Sequence, residues 1–285
     1  MAEINADNQA SIAAEAPPSS AIGGLRLHQF TSRLLRNTRT LRVWLPPRYD
    51  APENSSRRYP VFYLNDGQNL FDPATAFGGV DWQVDETADR LIRQQVITPA
   101  IFVGIDNTRE ERIKEYIPYR TANPPLLRPR GSKYPDFLIH EVMPFIEERY
   151  RVAKGPENTA LGGSSLGGLI SLYVALVRPG VFGRLLLESP SLWVAQRKIL
   201  RDARGFRAWP DRVYLAVGTR EVGRDDKDRQ TVENVRALAR MMQQSGLDER
   251  RLHLKVDEGA THSEAAWGGR FPEALAFLFG TEPHV

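Results

Sequence analysis

The chain has 285 residues and no cysteine, which excludes disulfides, thiolate metal sites and thiol catalysis. Its formal net charge of +3 arises from 38 basic and 35 acidic residues interspersed along the chain, a solvated surface and not a nucleic-acid footprint. With 41% hydrophobic residues, a mean hydropathy of −0.40 and no run near the ~20 apolar residues of a membrane span, one α/β domain that neither crosses a membrane nor binds nucleic acid is expected.

Residues 1–23 are rich in Ala, Ser, Pro and Asn without periodicity and read as a disordered tail ahead of a domain over 24–285. The first residues lack the apolar core of a signal peptide, so a cytoplasmic location is expected. Leu25–Ser32 and Arg39–Leu45 read as antiparallel strands joined near Asn37, the second stopped by Pro46-Pro47. Tyr59–Leu64 is a buried strand that ends in the polar turn Asn65-Asp66-Gly67-Gln68-Asn69. Val84–Gln95 places Val84, Ala88, Leu91 and Ile92 on one helical face. Ala100–Gly104 is the next buried strand. Residues 106–133 read as a long loop rich in Arg and Pro, a length that points to function in a compact domain. Within it, Arg120, Arg128, Arg130 and Lys133 form a solvated cluster, with contact to an anionic substrate as the alternative. Tyr134–Tyr150 is helical with an interruption at Pro144.

The second half alternates more regularly. Thr159–Gly163, Leu185–Leu187, Val213–Val217 and Leu252–Val256 read as strands. Leu166–Val177, Gln230–Gln244 and Phe271–Phe279 read as helices. Such alternation predicts a mostly parallel sheet with helices on both faces and antiparallel strands at its N-terminal edge.

Gly163-Ser164-Ser165-Leu166-Gly167 lies between a predicted strand and a predicted helix. That is the context in which G-x-S-x-G makes a sharp turn and exposes its serine. The turn needs small residues two before and two after the serine. Gly163 and Gly167 meet that need around Ser165, whereas Ser164 has Leu166 after it. A serine hydroxyl needs a base. Of the five histidines, His28 and His253 fall in strands, His140 in a helix and His284 at the end of the chain. His262 sits in Gly259-Ala260-Thr261-His262-Ser263, between the last strand and the last helix, and is the candidate base. The acid belongs between the two in chain order. Glu221 is the first acid after the strand Val213–Val217, and Asp225 and Asp226 follow it closely. Position favours Glu221 and residue type favours the aspartates. The backbone N–H groups of Leu166 and Gln68 are the candidate oxyanion donors. The histidines show no metal-ligand spacing, so no metal and no cofactor is expected.

The stretch Tyr59-Pro60-Val61-Phe62-Tyr63-Leu64-Asn65-Asp66-Gly67-Gln68-Asn69-Leu70-Phe71-Asp72 resembles the third-strand signature of the putative esterase family. Trp82-Gln83-Val84-Asp85-Glu86, Val103-Gly104-Ile105-Asp106-Asn107, the Ser165 turn, Ser189-Pro190-Ser191-Leu192-Trp193 and Thr261-His262-Ser263-Glu264-Ala265-Ala266-Trp267 match in the same order. The family holds esterase D, feruloyl, acetylxylan and siderophore esterases, and the mycolyltransferases. The resemblance covers about residues 25–281. It implies an α/β-hydrolase fold, a serine-hydrolase mechanism and a small-molecule ester as substrate. Mycolyltransferases carry their glutamate in a stretch like Gly218-Thr219-Arg220-Glu221, which selects Glu221 as the acid. The family's second oxyanion donor follows an Asp-Gly pair, which maps onto Gln68. The resemblance further implies that Trp193 lines the acyl or alcohol pocket, and Asp66 is a second candidate substrate contact. Acyl transfer to an alcohol or sugar on the same residues is the alternative to hydrolysis.

Overall fold

The computed structural model describes residues 19–120 and 128–281. Strands β1 (Gly24–Ser32) and β2 (Asn37–Leu45) form an antiparallel hairpin. β2 also pairs antiparallel with β4 (Ile101–Ile105). From there every pairing is parallel, through β3 (Val61–Asn65), β5 (Thr159–Ser164), β6 (Arg184–Glu188), β7 (Arg212–Arg220) and β8 (Leu252–Thr261). The eight strands make one sheet in the order β1-β2-β4-β3-β5-β6-β7-β8.

Every residue of β3, β4 and β5 is buried, as expected of parallel strands covered on both faces. Successive side chains enter two different cores. Val61, Tyr63, Val103, Leu161 and Leu185 join a core that includes α5 (Leu166–Val177) and α7 (Asp225–Gln244). Phe62, Leu64, Phe102, Ala160 and Leu186 join the other, closed by α1 (Val84–Arg93) and α8 (Glu264–Phe279). No helix among the described residues is long and apolar enough to cross a membrane.

The strand order reverses around β3. The chain runs from β3 outward to β4 and then returns to β5 on the opposite side. Ligands bind at such switch points, outside the carboxyl ends of the strands. The turns after β3 and β5 hold Gln68 and Ser165.

Several predicted elements are corrected. The tail prediction over 1–18 lies outside the described residues, but Ile22 is tied down: its N–H donates to Asp85 Oδ2 at 2.6 Å and its carbonyl accepts from Trp44 Nε1 at 2.9 Å. Residues 106–133 are not one loop. They contain α2 (Arg112–Tyr116), whose Glu115 is fully buried against Arg39, and 121–127 lie outside the described residues. The helix around Pro144 is widened instead of broken: α3 (Tyr134–Phe137) passes through a π turn (Leu138–Val142) into α4 (Met143–Arg149). Pro144 has no N–H for the carbonyl of His140, and the wider turn makes room for its ring. Helix α6 (Val194–Ala203) was not predicted. It opens with Ala195, Gln196 and Arg197 at positive φ, a start that leaves no regular periodicity in the sequence.

Candidate active site

β5 delivers the chain into a turn where Ser165 adopts φ 55° and ψ −121° before α5 begins at Leu166. Such a conformation is costly for a residue with a Cβ and persists only where the surroundings hold it. Two backbone bonds do so: the Ser165 N–H donates to Glu188 O at 2.9 Å, and its carbonyl accepts from Ser191 N at 3.0 Å. The glycines permit the close approach. A Cβ on Gly167 would stand 3.1 Å from Asp66 Oδ2, and one on Gly163 would stand 3.0 Å from Asn65 Cβ. Asn65 fastens the end of β3 to α5 by donating to Gly167 O and Ser171 Oγ, while it accepts from the buried Tyr134 hydroxyl.

Ser165 and His262 line one cleft of roughly 690 Å³. His262 fills the short step between β8 and α8, whose N-cap Ser263 accepts from Ala266 N. Its Nδ1 lies 2.5 Å from Glu221 Oε2. Nε2 has no partner among the described residues, and neutral imidazole with Nδ1 protonated keeps that nitrogen free to accept a proton. No hydrogen bond joins it to Ser165, whose Oγ lies 3.4 Å from Ser191 Oγ. Catalytic hydrogen bonds are commonly long without substrate. The other Glu221 oxygen accepts from Gly218 N and from Ser189 Oγ, both at 2.6 Å. Burial pushes the Glu221 carboxyl up, but the bonds from His262, Ser189 and Gly218 outweigh it and hold the group below the ordinary glutamate range. Asp225 and Asp226, the rival acids, are exposed in the first turn of α7, where carboxylates favour the helix N-terminus.

Asp66 starts the turn after β3 in the left-handed region, at φ 59°. The Gln68 side-chain oxygen accepts from Asn107 N at 3.1 Å and ties that turn to the loop after β4. The backbone N–H groups of Gln68 and Leu166 make no hydrogen bond among the described residues, which leaves both available to an oxyanion. Asp66 lines the cleft, but Arg112 grips its carboxylate at 2.7 and 2.8 Å and Asn107 Nδ2 donates to it at 2.6 Å. From the cleft wall it also holds those two residues in place.

Trp193 is 65% exposed, outside the core and not among the residues that line the cleft, and α6 begins beside it with three residues at positive φ. The aromatic residues of the cleft are Phe77 and Trp267. None of Arg120, Arg128, Arg130 and Lys133 lines it. The cations there are Arg109 and Arg112, and Arg130 pairs instead with Glu111. His28 bonds the Tyr150 hydroxyl and His253 stacks on Tyr214, while His284 lies outside the described residues. Sequence reasoning gave no role to Ser189, Ser191 or Trp267. Their only signal was membership of the two motifs around Pro190 and His262.

The family model described as Putative esterase matches residues 32–278. The chain belongs to that family. Membership makes it a carboxylic-ester hydrolase, and the sheet described above is the α/β-hydrolase type of its structural neighbours. It is 27% identical over 251 residues to the uncharacterized protein YbbA of Bacillus subtilis, covering 85% of this chain and 93% of that one. It is 25% identical over 259 residues to the iron(III) salmochelin esterase of Escherichia coli, covering 85% of this chain and 55% of that longer protein. Among solved structures it is similar to a BES protein from Bacillus cereus, with TM-score 0.70 and 20% identity over 91% of this chain and 96% of that one.

Proposed function

We propose that this esterase cleaves its substrate through Ser165, His262 and Glu221 by way of an acyl-enzyme. The observation that carries the reading is the 2.5 Å contact of His262 Nδ1 with Glu221 Oε2, on the wall of the cleft that Ser165 shares. His262 Nε2 takes the Ser165 proton as Oγ attacks the ester carbonyl, and the N–H groups of Leu166 and Gln68 receive the oxyanion. The intermediate collapses as His262 returns the proton to the departing alkoxide. Water then attacks the acyl-Ser165 ester, again with His262 as base, and frees the acid. Glu221 stays ionised and orients the ring.

The cleft also bears on the substrate. Arg109 forms no ion pair among the described residues, and Phe77 is 79% exposed on the same wall. A free guanidinium beside an open aromatic face suits an ester with an aromatic ring and an anionic oxygen. Catecholate siderophore esters have that chemistry, and a relative named for salmochelin hydrolysis favours the same class. The test compares p-nitrophenyl acetate, p-nitrophenyl butyrate, methyl ferulate and a catecholate lactone with wild type and Ser165→Ala. The lactone is expected to give the highest kcat/KM, and Ser165→Ala is expected to lose every activity. Full turnover by Ser165→Ala removes the mechanism, and a lactone no better than the simple esters removes the substrate class.

A further inference from the structure

We infer that Ser189 and Trp267 are positioning residues for this site: the Trp267 indole fixes the Ser189 hydroxyl so that its proton lies on Glu221, and the same ring braces His262. The inference rests on the Ser165–His262–Glu221 reading above and adds to it the groups that hold the acid and the base together.

The argument starts from donor counting. Glu221 Oε2 faces His262, and Oε1 takes the Gly218 N–H and the Ser189 hydroxyl. An ionised carboxylate can only accept, so that contact puts the Ser189 proton on Glu221. The second neighbour of Ser189 holds it there. Trp267 Nε1 lies 3.0 Å from Ser189 Oγ. An indole N–H can only donate, so Ser189 must accept from Trp267 and donate to Glu221. The donors therefore run one way, from Trp267 to Ser189 to Glu221, and each bond polarises the next. With Oε1 occupied by two donors, the carboxylate is held with Oε2 towards the imidazole.

Trp267 closes the circuit from the other side. Its ring meets the His262 ring edge to face, with centroids 4.9 Å apart and planes at 85°. One residue thus touches the base directly and the acid through one hydroxyl. Ser189 and Trp267 are only 2% and 4% exposed, so little water competes for these bonds. The backbone supports the same arrangement. Ser189 directly follows β6 at φ 42°, a strained value for a residue with a side chain, and its N–H donates to Ala216 O at 2.8 Å. The hydroxyl is the part of Ser189 that the site uses.

A filler serine and a positioning serine differ in kinetics. Without the Ser189 proton, more negative charge remains on Glu221 to hold a proton on His262. The acid limb of kcat/KM then moves to higher pH. The test measures p-nitrophenyl acetate hydrolysis by the full chain as wild type, Ser189→Ala, Trp267→Phe and the double variant, with Glu221→Gln in parallel. Phe keeps a ring against His262 and removes the N–H. Ser189→Ala is expected to lower kcat by about tenfold to a hundredfold, the scale of one hydrogen bond to a charged group, with KM changed by less than about twofold. Its acid limb is expected to move upward by about half a pH unit. Trp267→Phe is expected to shift in the same direction, and the double variant to lose no more than Ser189→Ala alone. The inference is overturned by a Ser189→Ala variant with normal kcat and an unmoved acid limb, or by losses that multiply in the double variant. If Ser189→Ala does not fold, Ser189→Gly, which suits the positive φ, carries the same comparison. An active Glu221→Gln removes the triad reading itself. An inactive Glu221→Gln beside a normal Ser189→Ala removes only this inference.

Discussion

Glu188 O accepts the backbone N–H of Ser165 at 2.9 Å, while the Glu188 carboxylate is gripped by Arg270 at 2.7 and 3.0 Å. The Ser165 turn is thus pinned to a strand end that carries a buried ion pair. Arg270 also reaches Asp257 on β8 at 2.9 Å, so one guanidinium ties β6 to β8 beneath the site. Arg270→Leu leaves Glu188 buried without its partner. An unfolding free energy lower by roughly 3–5 kcal/mol is expected in urea melts. Arg270→Lys, which cannot span both carboxylates as a planar fork, is expected to recover only part of that loss.

Glu221→Gln is expected to lower kcat by about a thousandfold or more, because an amide cannot stabilise the imidazolium that forms. Asp225→Asn and Asp226→Asn, in the exposed first turn of α7, are expected to stay within about twofold of wild type. Steady-state rates on p-nitrophenyl acetate make the comparison. A large loss in either aspartate variant with a normal Glu221→Gln would reassign the acid.

Gly67 stands directly before Gln68, and a Cβ there would meet Gly104 C at 2.5 Å and Ile105 N at 2.7 Å. Both are backbone atoms of β4 and cannot swing aside. Gly67→Ala is therefore expected to destabilise by about 1–3 kcal/mol and to lower kcat by displacing the Gln68 N–H. Urea unfolding and kcat on the folded variant check the two effects separately. A variant as stable and as fast as wild type would contradict the tight approach of the turn to β4.

Asp85 is fully buried, and burial together with the neighbouring Glu86 carboxylate pushes it up to about 8 from its ordinary value of 3.8. A carboxyl raised on folding contributes stability that is present below its unfolded value and lost as pH rises through the folded one. Stability is therefore expected to fall between about pH 4 and 8. Each unit of the rise corresponds to about 1.4 kcal/mol. Asp85→Asn can still accept from Ile22 N and cannot ionise, so it is expected to flatten that fall. Thermal midpoints of both proteins at pH 4.5, 6 and 8 decide it, and parallel curves would exclude Asp85 as the source.

The strands and helices that were legible share one property. Each had its pattern written in adjacent residues: the apolar runs of β3, β4 and β5, the unbroken helix Leu166–Val177, and the strand–Ser165–helix order. What failed was set by neighbours. Asp225 belongs to a helix that begins five residues ahead of the predicted Gln230, because its first turn is polar and exposed. Helix α6 opens with three left-handed residues beside the exposed Trp193, a start that no propensity announces.

The sequence by itself determined the fold class, the Ser165 turn and the isolation of His262 between the last strand and the last helix. All three follow from local chemistry: small residues at the turn, periodicity of two or 3.6, and chain order. The resemblance points to Glu221, but only the tertiary structure shows its contact with His262, since the two are 41 residues apart and are brought together by the parallel pairing of β7 with β8. The tertiary structure alone gave Ser189 and Trp267 a common partner, across 78 residues of chain. Hydrogen-bond direction depends on what each donor faces, and a one-dimensional pattern does not contain that.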